Sequence, residues 1–351
     1  MPDNQDAGSG TFTREDMLAM PKVELHRHLE GSLSPEFFLE LAKEFPLTLP
    51  SSDLEELRAA VTMQGQTPSF TGFLKRFETM RTLYVNQECI QRACREAIKG
   101  AAEDNIRYLE LRYNPIHFAT QMGFHHEQVI EWITEARDQA GAEFGLQVEL
   151  VATVNRGDPV QESLPVIESA IAGAGQHFVG IDIAGDENFG SLARFAGVLR
   201  KARGASLGIT IHAGEVGPAA NVKEAIRLLG AHRIGHGIRV MEDPEVVKLA
   251  KEAGTFFEVC PTSNLSTGAV ESMDKHPIGD MGRAELLVTL NTDDPVTCGT
   301  TLTDEYLLVA NALSLEKEDF LELNLTALQA SFRPREERDN LARMFEEEFT
   351  S

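Results

Sequence analysis

The chain has 351 residues, 42% hydrophobic and 25% charged, a composition that supports a large buried core. Its 55 acidic residues outweigh 32 lysines and arginines, a formal charge of −23, which leaves no basic face to neutralise phosphates and argues against nucleic-acid and anionic-membrane partners. No run approaches the roughly 20 apolar residues that a membrane span needs.

The opening MPDNQDAGSGTFTRED is polar and acidic and lacks the basic and apolar regions of a signal peptide. It predicts a short disordered tail over residues 1–15, followed by a single domain over 16–351. The first β-rich run is VELHRHL (23–29), followed by a long stretch of helical patterns that includes FLKRFETMRTLY and QECIQRACREAIKGAAED. Further β-rich runs fall at 106–113, 146–154, 178–184, 207–213, 232–237, 255–260 and 286–291, with helix-like segments such as PEVVKLAKEAG between them. Eight strands alternating with helices predict an α/β fold, a parallel (β/α)8 TIM barrel with a helical insertion after the first strand. An insertion there lies over the C-terminal mouth of the barrel, where active sites are built. The final RPREERDNLARMFEEEF reads as a charged, solvated helix, and Cys89, Cys94, Cys260 and Cys298 form neither a CxxC pair nor a dense framework, which fits a reducing cytoplasm.

Polar residues collect at the C-terminal ends of these strands, which converge on one site in a barrel. His26 and His28 stand two apart in the first run, so their side chains share a face. Two imidazoles on one face of a buried strand point to a shared cation more than to two hydrogen-bonded core residues. His212 ends another run, with Glu215 in the turn after it. Read singly, the first is a core histidine and the second an acid favoured at a helix N-terminus; read together, they are a third imidazole and a nearby carboxyl group. His236 sits between two glycines in RIGHG, which allow close approach of backbone or ligand. Asp293 and Asp294 follow the last run in NTDDP, where Pro295 biases Asp294 to extended backbone and the two acids diverge. Three neutral imidazoles and a carboxylate suit a divalent first-row metal, zinc above all. Such an ion makes water a nucleophile near neutral pH. His236 is then placed to take a proton from that water or to orient it. Glu215 suits a general acid whose pKa is raised by burial. The residues alone reach a metal-assisted hydrolase.

In family order, PKVELHRHLEGS, GIDIAGDE, HAGE, RIGHG, CPTSNLSTGA and NTDDP resemble the motifs of the adenosine deaminase family of the amidohydrolase superfamily, over nearly the whole chain. The resemblance implies one Zn2+ held by His26, His28, His212 and Asp293, hydrolytic loss of the C6 amine of a purine nucleoside, and purine salvage in the cytoplasm. It implies Glu215 as proton donor to N1 and His236 as the water-orienting histidine. It also implies substrate contacts from His28, Gly185 (to N3) and Asp294 (to N7). PSFTGFLKRF resembles the family's apolar lid, which would place Phe73, Leu74 and Phe77 over the sugar; an amphipathic helix packed on the barrel has the same spacing. One residue departs from the pattern: Glu30 stands where adenosine deaminases carry the Asp of HLDG that meets the ribose 5′-hydroxyl. The adenine-deaminase branch also tends to Glu there, whereas NTDDP and LSTGA point back to a nucleoside. Adenosine and 2′-deoxyadenosine are thus the expected substrates, with adenine or a 5′-modified adenosine as the alternative. A different amidohydrolase reaction or a non-catalytic nucleoside-binding protein would leave the same motifs. The complete set from His26 to Asp294 argues against a silent site.

Overall fold

The computed structural model describes residues 12–350; residues 1–11, most of the expected tail, lie outside the described residues. From residue 12 onward the chain already belongs to the domain. Thr13 and Asp16 form a reciprocal capping box on the helix Arg14–Ala19, and Phe12 meets Phe320 edge-on at 6.0 Å. The polar composition of this stretch hid one aromatic anchor and one helix cap.

Eight strands follow, namely β1 (Lys22–His28), β2 (Ile106–Tyr113), β3 (Gln147–Asn155), β4 (Gly180–Ala184), β5 (Gly208–Ala213), β6 (Arg233–His236), β7 (Phe256–Val259) and β8 (Leu287–Leu290). They pair in sequence order, all parallel, as expected for the (β/α)8 barrel. Closure between β8 and β1 happens at the C-terminal end. The His28 N–H donates to the Asp293 carbonyl and the Asp293 N–H to the His26 carbonyl, both at 2.8 Å. Further down the seam, side-chain amides replace the ladder: the N–H groups of Leu25 and Val23 donate to the Oδ1 atoms of Asn291 (3.0 Å) and Asn324 (2.8 Å).

Between β1 and β2 lie helices Pro35–Glu44, Leu54–Val61, Phe70–Met80 and Gln87–Glu103. Ser34, Asp53, Ser69 and Asn86 cap them in turn, each accepting a backbone N–H in the first turn. The C-terminal helix Arg335–Thr350 departs from the solvated reading. Leu341, Phe345 and Phe349 are buried at i, i+4 and i+8, a narrow apolar stripe that its many charges masked. Among the described residues, no helix is long and apolar enough to cross a membrane.

The barrel lumen is charged. Arg112 reaches Glu258 at 2.9 Å and Asp182 at 3.3 Å, while Arg233 contacts Glu110 at 2.7 Å and also Glu258, all with fully buried side chains. Breaking such a network by removing one member leaves a charge unpaired in the interior, which costs about 3–5 kcal/mol. Two of its carboxylates, Glu258 and Asp182, reach His26 and His212 at the mouth.

Candidate active site

The mouth of the barrel gathers every polar residue singled out in the sequence. A cavity of about 190 Å³ opens there, and its lining includes His28, Glu30, Gly185, His212, Glu215, His236, Asp293 and Asp294. Phe73, Leu74 and Phe77 from the helix Phe70–Met80 also line it. His26 lies beneath the lining, fully buried. A larger hollow of about 530 Å³, bordered by Phe12, Met20 and Phe349, lies beside the N-terminal end of β1 and holds no comparable cluster.

Three imidazole nitrogens and one carboxylate oxygen converge. Asp293 Oδ1 is 3.1 Å from His26 Nε2 and 3.3 Å from His28 Nε2, and His28 Nε2 is 3.4 Å from His212 Nε2. Four ligands held tetrahedrally about 2.0–2.1 Å from one zinc ion stand about 3.3 Å apart, so these spacings fit that ion. The group whose atoms all lie within 4.8 Å of one another is His26, His212, His236 and Asp293, and His28 meets it through Asp293 and His212. What stands behind each ring separates the histidines. His26 Nδ1 is 2.7 Å from Glu258 and His212 Nδ1 is 2.9 Å from Asp182, so each Nδ1–H donates to a carboxylate and each Nε2 presents a lone pair. Burial alone would raise the Asp182 carboxyl, but His212 and Arg112 override it and keep it ionised.

His236 is wired in the opposite sense. The Ile278 N–H donates to His276 Nδ1 at 3.1 Å, and a backbone N–H cannot accept, so the His276 proton is on Nε2. That Nε2–H donates to Asn264 Oδ1 at 3.2 Å, which fixes the amide. Asn264 Nδ2 then donates to His236 Nδ1 at 3.1 Å and leaves the His236 proton on Nε2. This N–H faces Glu215 Oε2 at 3.7 Å and Asp293 Oδ2 at 3.9 Å. Burial holds the ring neutral, with its pKa down to about 4. His236 is therefore a hydrogen-bond donor into the cavity, and its backbone takes the left-handed conformation (φ 59°), as does that of Asp293 (φ 65°).

The Glu215 carboxyl is pushed up to about 8, first by burial and then by the Asp293 charge, so it carries a proton at neutral pH. Its loop hangs on a single buried carboxylate. Glu187 accepts the N–H groups of Gly214, Glu215, Val216 and Gly217 and the Asn221 side-chain amide, at 2.7–3.0 Å. Asp293 and Asp294 share one charge. The neighbouring histidines hold Asp293 ionised against its burial, while burial and the Asp293 charge keep Asp294 protonated. Gly31 must be glycine, since a Cβ there would lie 1.9 Å from Asp294 Oδ1. Gly185 is left-handed (φ 92°), and a Cβ on it would lie 2.2 Å from Asn155 Oδ1. Glu30 is buried beside β2; its Oε1 accepts the Asn114 N–H at 3.2 Å, and its Oε2 has no hydrogen-bond partner. Burial raises its carboxyl to about 7.

A (β/α)8 barrel whose strand ends bring three imidazoles and a carboxylate together, beside a protonated acid, defines a hydrolase of the amidohydrolase type. The family model for adenosine deaminase matches residues 21–347, and the chain belongs to the adenosine deaminase family. An adenosine deaminase from Clostridium botulinum is 33% identical over 327 residues, which cover 93% of this chain and 98% of that relative. Among solved structures, an adenine deaminase from Arthrobacter aurescens superposes with a TM-score of 0.86 at 28% identity, covering 95% of this chain and 100% of that one. An N6-mAMP deaminase from Arabidopsis gives 0.84 at 27%, covering 95% and 99%.

Proposed function

We propose that the protein is a zinc-dependent hydrolase that removes the C6 amine from adenosine-type purines, adenosine and 2′-deoxyadenosine among them, and releases ammonia and the 6-oxo product. The observation that carries this reading is the convergence of His26, His28, His212 and Asp293 at spacings that suit one zinc ion, with a protonated Glu215 alongside. His26, His28, His212 and Asp293 would hold the metal. Zinc bound there supplies a Lewis acid that makes water nucleophilic near neutral pH.

The chain's own residues do the rest. Addition at C6 breaks the ring's aromaticity and places electron density on N1. Glu215 delivers its proton there, which requires the raised pKa that burial gives it. The His236 Nε2–H donates to the attacking oxygen, orients it and stabilises the charge that grows on it. Asp294, protonated, donates to N7, and the Gly185 N–H contacts N3 without a side chain in the way. The tetrahedral C6 then expels ammonia: of the two protons of the attacking water, one goes to the leaving amine and the other restores the Glu215 carboxyl, while N1 keeps the proton it received. Phe73, Leu74 and Phe77 exclude water from the sugar side.

The His276–Asn264 chain gives this mechanism a specific test. Asn264→Asp accepts from Nδ1–H instead of donating to Nδ1, which moves the His236 proton away from the cavity. Steady-state kinetics on zinc-loaded enzyme should show kcat down about 10²-fold with little change in KM; a wild-type kcat would remove the tautomer from the mechanism.

A second reading, free adenine or a 5′-modified adenosine, is favoured by the unpartnered Oε2 of Glu30 in the cavity wall. The three relatives differ in the same respect: adenine, adenosine and N6-methyl-AMP differ in what N9 carries, the last also bearing a methyl group on N6. If Glu30 serves adenosine, Glu30→Asp withdraws its carboxyl by about one C–C bond, roughly 1.5 Å. The lost contact lowers kcat/KM for adenosine by about tenfold. A tenfold gain on adenosine instead assigns Glu30 to another group at N9. Ammonia release from adenine, adenosine and 5′-substituted adenosines, measured on one metal-analysed sample, tests the whole reading: adenosine inert beside a fast adenine would overturn it.

A further inference from the structure

The cavity has a second polar end that the deamination chemistry does not use. There Arg81, at the C-terminal end of the helix Phe70–Met80, meets His117, in the helix that follows β2. Arg81 Nη2 lies 3.1 Å from His117 Nδ1. His117 is a neutral acceptor, since burial and then the Arg81 charge push its pKa down to about 3. Among the described residues, Arg81 is the only Lys or Arg lining the cavity, and it has no carboxylate within salt-bridge distance. Glu30 and Asp158 feel its charge from further off, but neither forms an ion pair with it. Asp158 approaches only the His117 ring, at 3.8 Å, and Glu30 directs Oε1 to the Asn114 N–H. A guanidinium held by a neutral partner at a cavity wall keeps its charge available to a ligand. In a chain of net charge −23, an anionic ligand needs such a fixed cation to offset the surrounding field.

The barrel order says which part of a purine arrives there. In the proposed binding mode, N1 meets Glu215 after β5, N3 meets Gly185 after β4, and N7 meets Asp294 after β8. Around the purine, N9 lies between N3 and N7, on the side opposite C6. Around the barrel, the wall between β4 and β8 that avoids β5, β6 and β7 is β1, β2 and β3. Glu30 follows β1, and Asn114 and His117 follow β2. The substituent on N9 therefore runs toward Glu30, Asn114, His117 and Arg81.

We infer that Arg81, set by His117, forms a subsite for an anionic group on the 5′ side of the sugar, and that the favoured substrates are adenosines bearing a 5′-phosphate or a 5′-side carboxylate. This rests on the deaminase reading for the placement of the purine, but not for the charge of the subsite. Arg81 acts as a specificity-determining residue: it recognises the anion and leaves the chemistry at C6 to the metal end.

The test uses zinc-loaded enzyme and adenosine, adenosine 5′-monophosphate and the 5′-carboxylic acid of adenosine, with ammonia release followed for each. At least one anion should exceed adenosine in kcat/KM by tenfold or more, and the better of the two identifies phosphate or carboxylate. In Arg81→Met the ratio of anion to adenosine should fall at least tenfold, with part of it kept in Arg81→Lys. Should the Met variant fail to fold, the wild-type ratio must still fall as ionic strength rises. Adenosine matching or exceeding both anions, or a ratio unaltered by Arg81→Met, overturns the subsite while the deaminase reading stands. Calorimetry with inosine and inosine 5′-monophosphate separates the two claims. If no substrate loses ammonia yet the monophosphate binds at least tenfold more tightly than inosine, the deaminase reading falls and the subsite stands; equal binding of the two overturns the subsite.

Discussion

Glu215→Gln should lower kcat about 10³-fold while zinc content stays that of the wild type. The amide keeps the volume and the 3.0 Å neighbour Thr267 Oγ1, but it has no acidic proton for N1. Glu215 is not among the four groups that converge for the metal, so zinc and activity separate in this variant. The pH profile carries the same assignment. With the Glu215 carboxyl near 8, the competent protonated form persists through neutral pH, and wild-type kcat/KM should fall as pH rises through about 8. The sign for stability runs in the same direction. The folded pKa lies above the ordinary 4.5, so the folded state binds the extra proton, and Glu215 costs the fold stability as pH rises from 4.5 through 8. Gln escapes that cost, so the variant should melt no lower than the wild type at pH 8, and its inactivity cannot be ascribed to unfolding. A variant within tenfold of wild-type kcat would remove Glu215 as the acid.

Asp293→Ala should lose metal and activity together. Its carboxylate is the one oxygen facing both His26 and His28, and Ser263 Oγ holds the other oxygen at 2.7 Å. Without it the site retains three neutral ligands and no formal negative charge against a dication, and bound zinc should fall below a tenth per chain after dialysis, with activity down at least about 10³-fold. The fold should survive. The Asp293 backbone, which closes the barrel against His26 and His28, is unchanged, and alanine at φ 65° costs about 1–2 kcal/mol. Stoichiometric zinc in a folded Asp293→Ala protein would remove this residue from the ligand set.

The cluster at the barrel mouth was legible in the sequence because a barrel converts position on a strand into position in space. His26, His28, His212, His236 and Asp293 each sit at the end of a β-rich run, and all eight runs matched the strands to within two residues. The layer beneath was written less plainly. Asp182 in GIDIA and Glu258 in FFEV are single acids inside apolar runs, a signal that a buried partner is required, but the partner follows only from which strands are neighbours. Glu187 was part of the quoted AGDE, yet its hold on the turn that carries Glu215 depends on two loops meeting in space. Asn264, likewise within CPTSN, acquires its meaning from His276, whose tautomer is set by a loop N–H with no sequence signature. Arg81 and His117 come from different elements, and only the fold brings them to one wall. The residues Phe73, Leu74 and Phe77 had the spacing of any amphipathic helix; they line the cavity, and Phe73 and Phe77 also pack against Met63 and Cys298.

The most direct test of the central claim is a zinc titration of chelator-stripped protein, with ammonia release from adenosine and adenosine 5′-monophosphate measured at each step. Activity should be absent without metal, rise in proportion to zinc, and level off at one ion per chain. Full activity in the metal-free protein, or no ammonia from either compound at one zinc per chain, would contradict it.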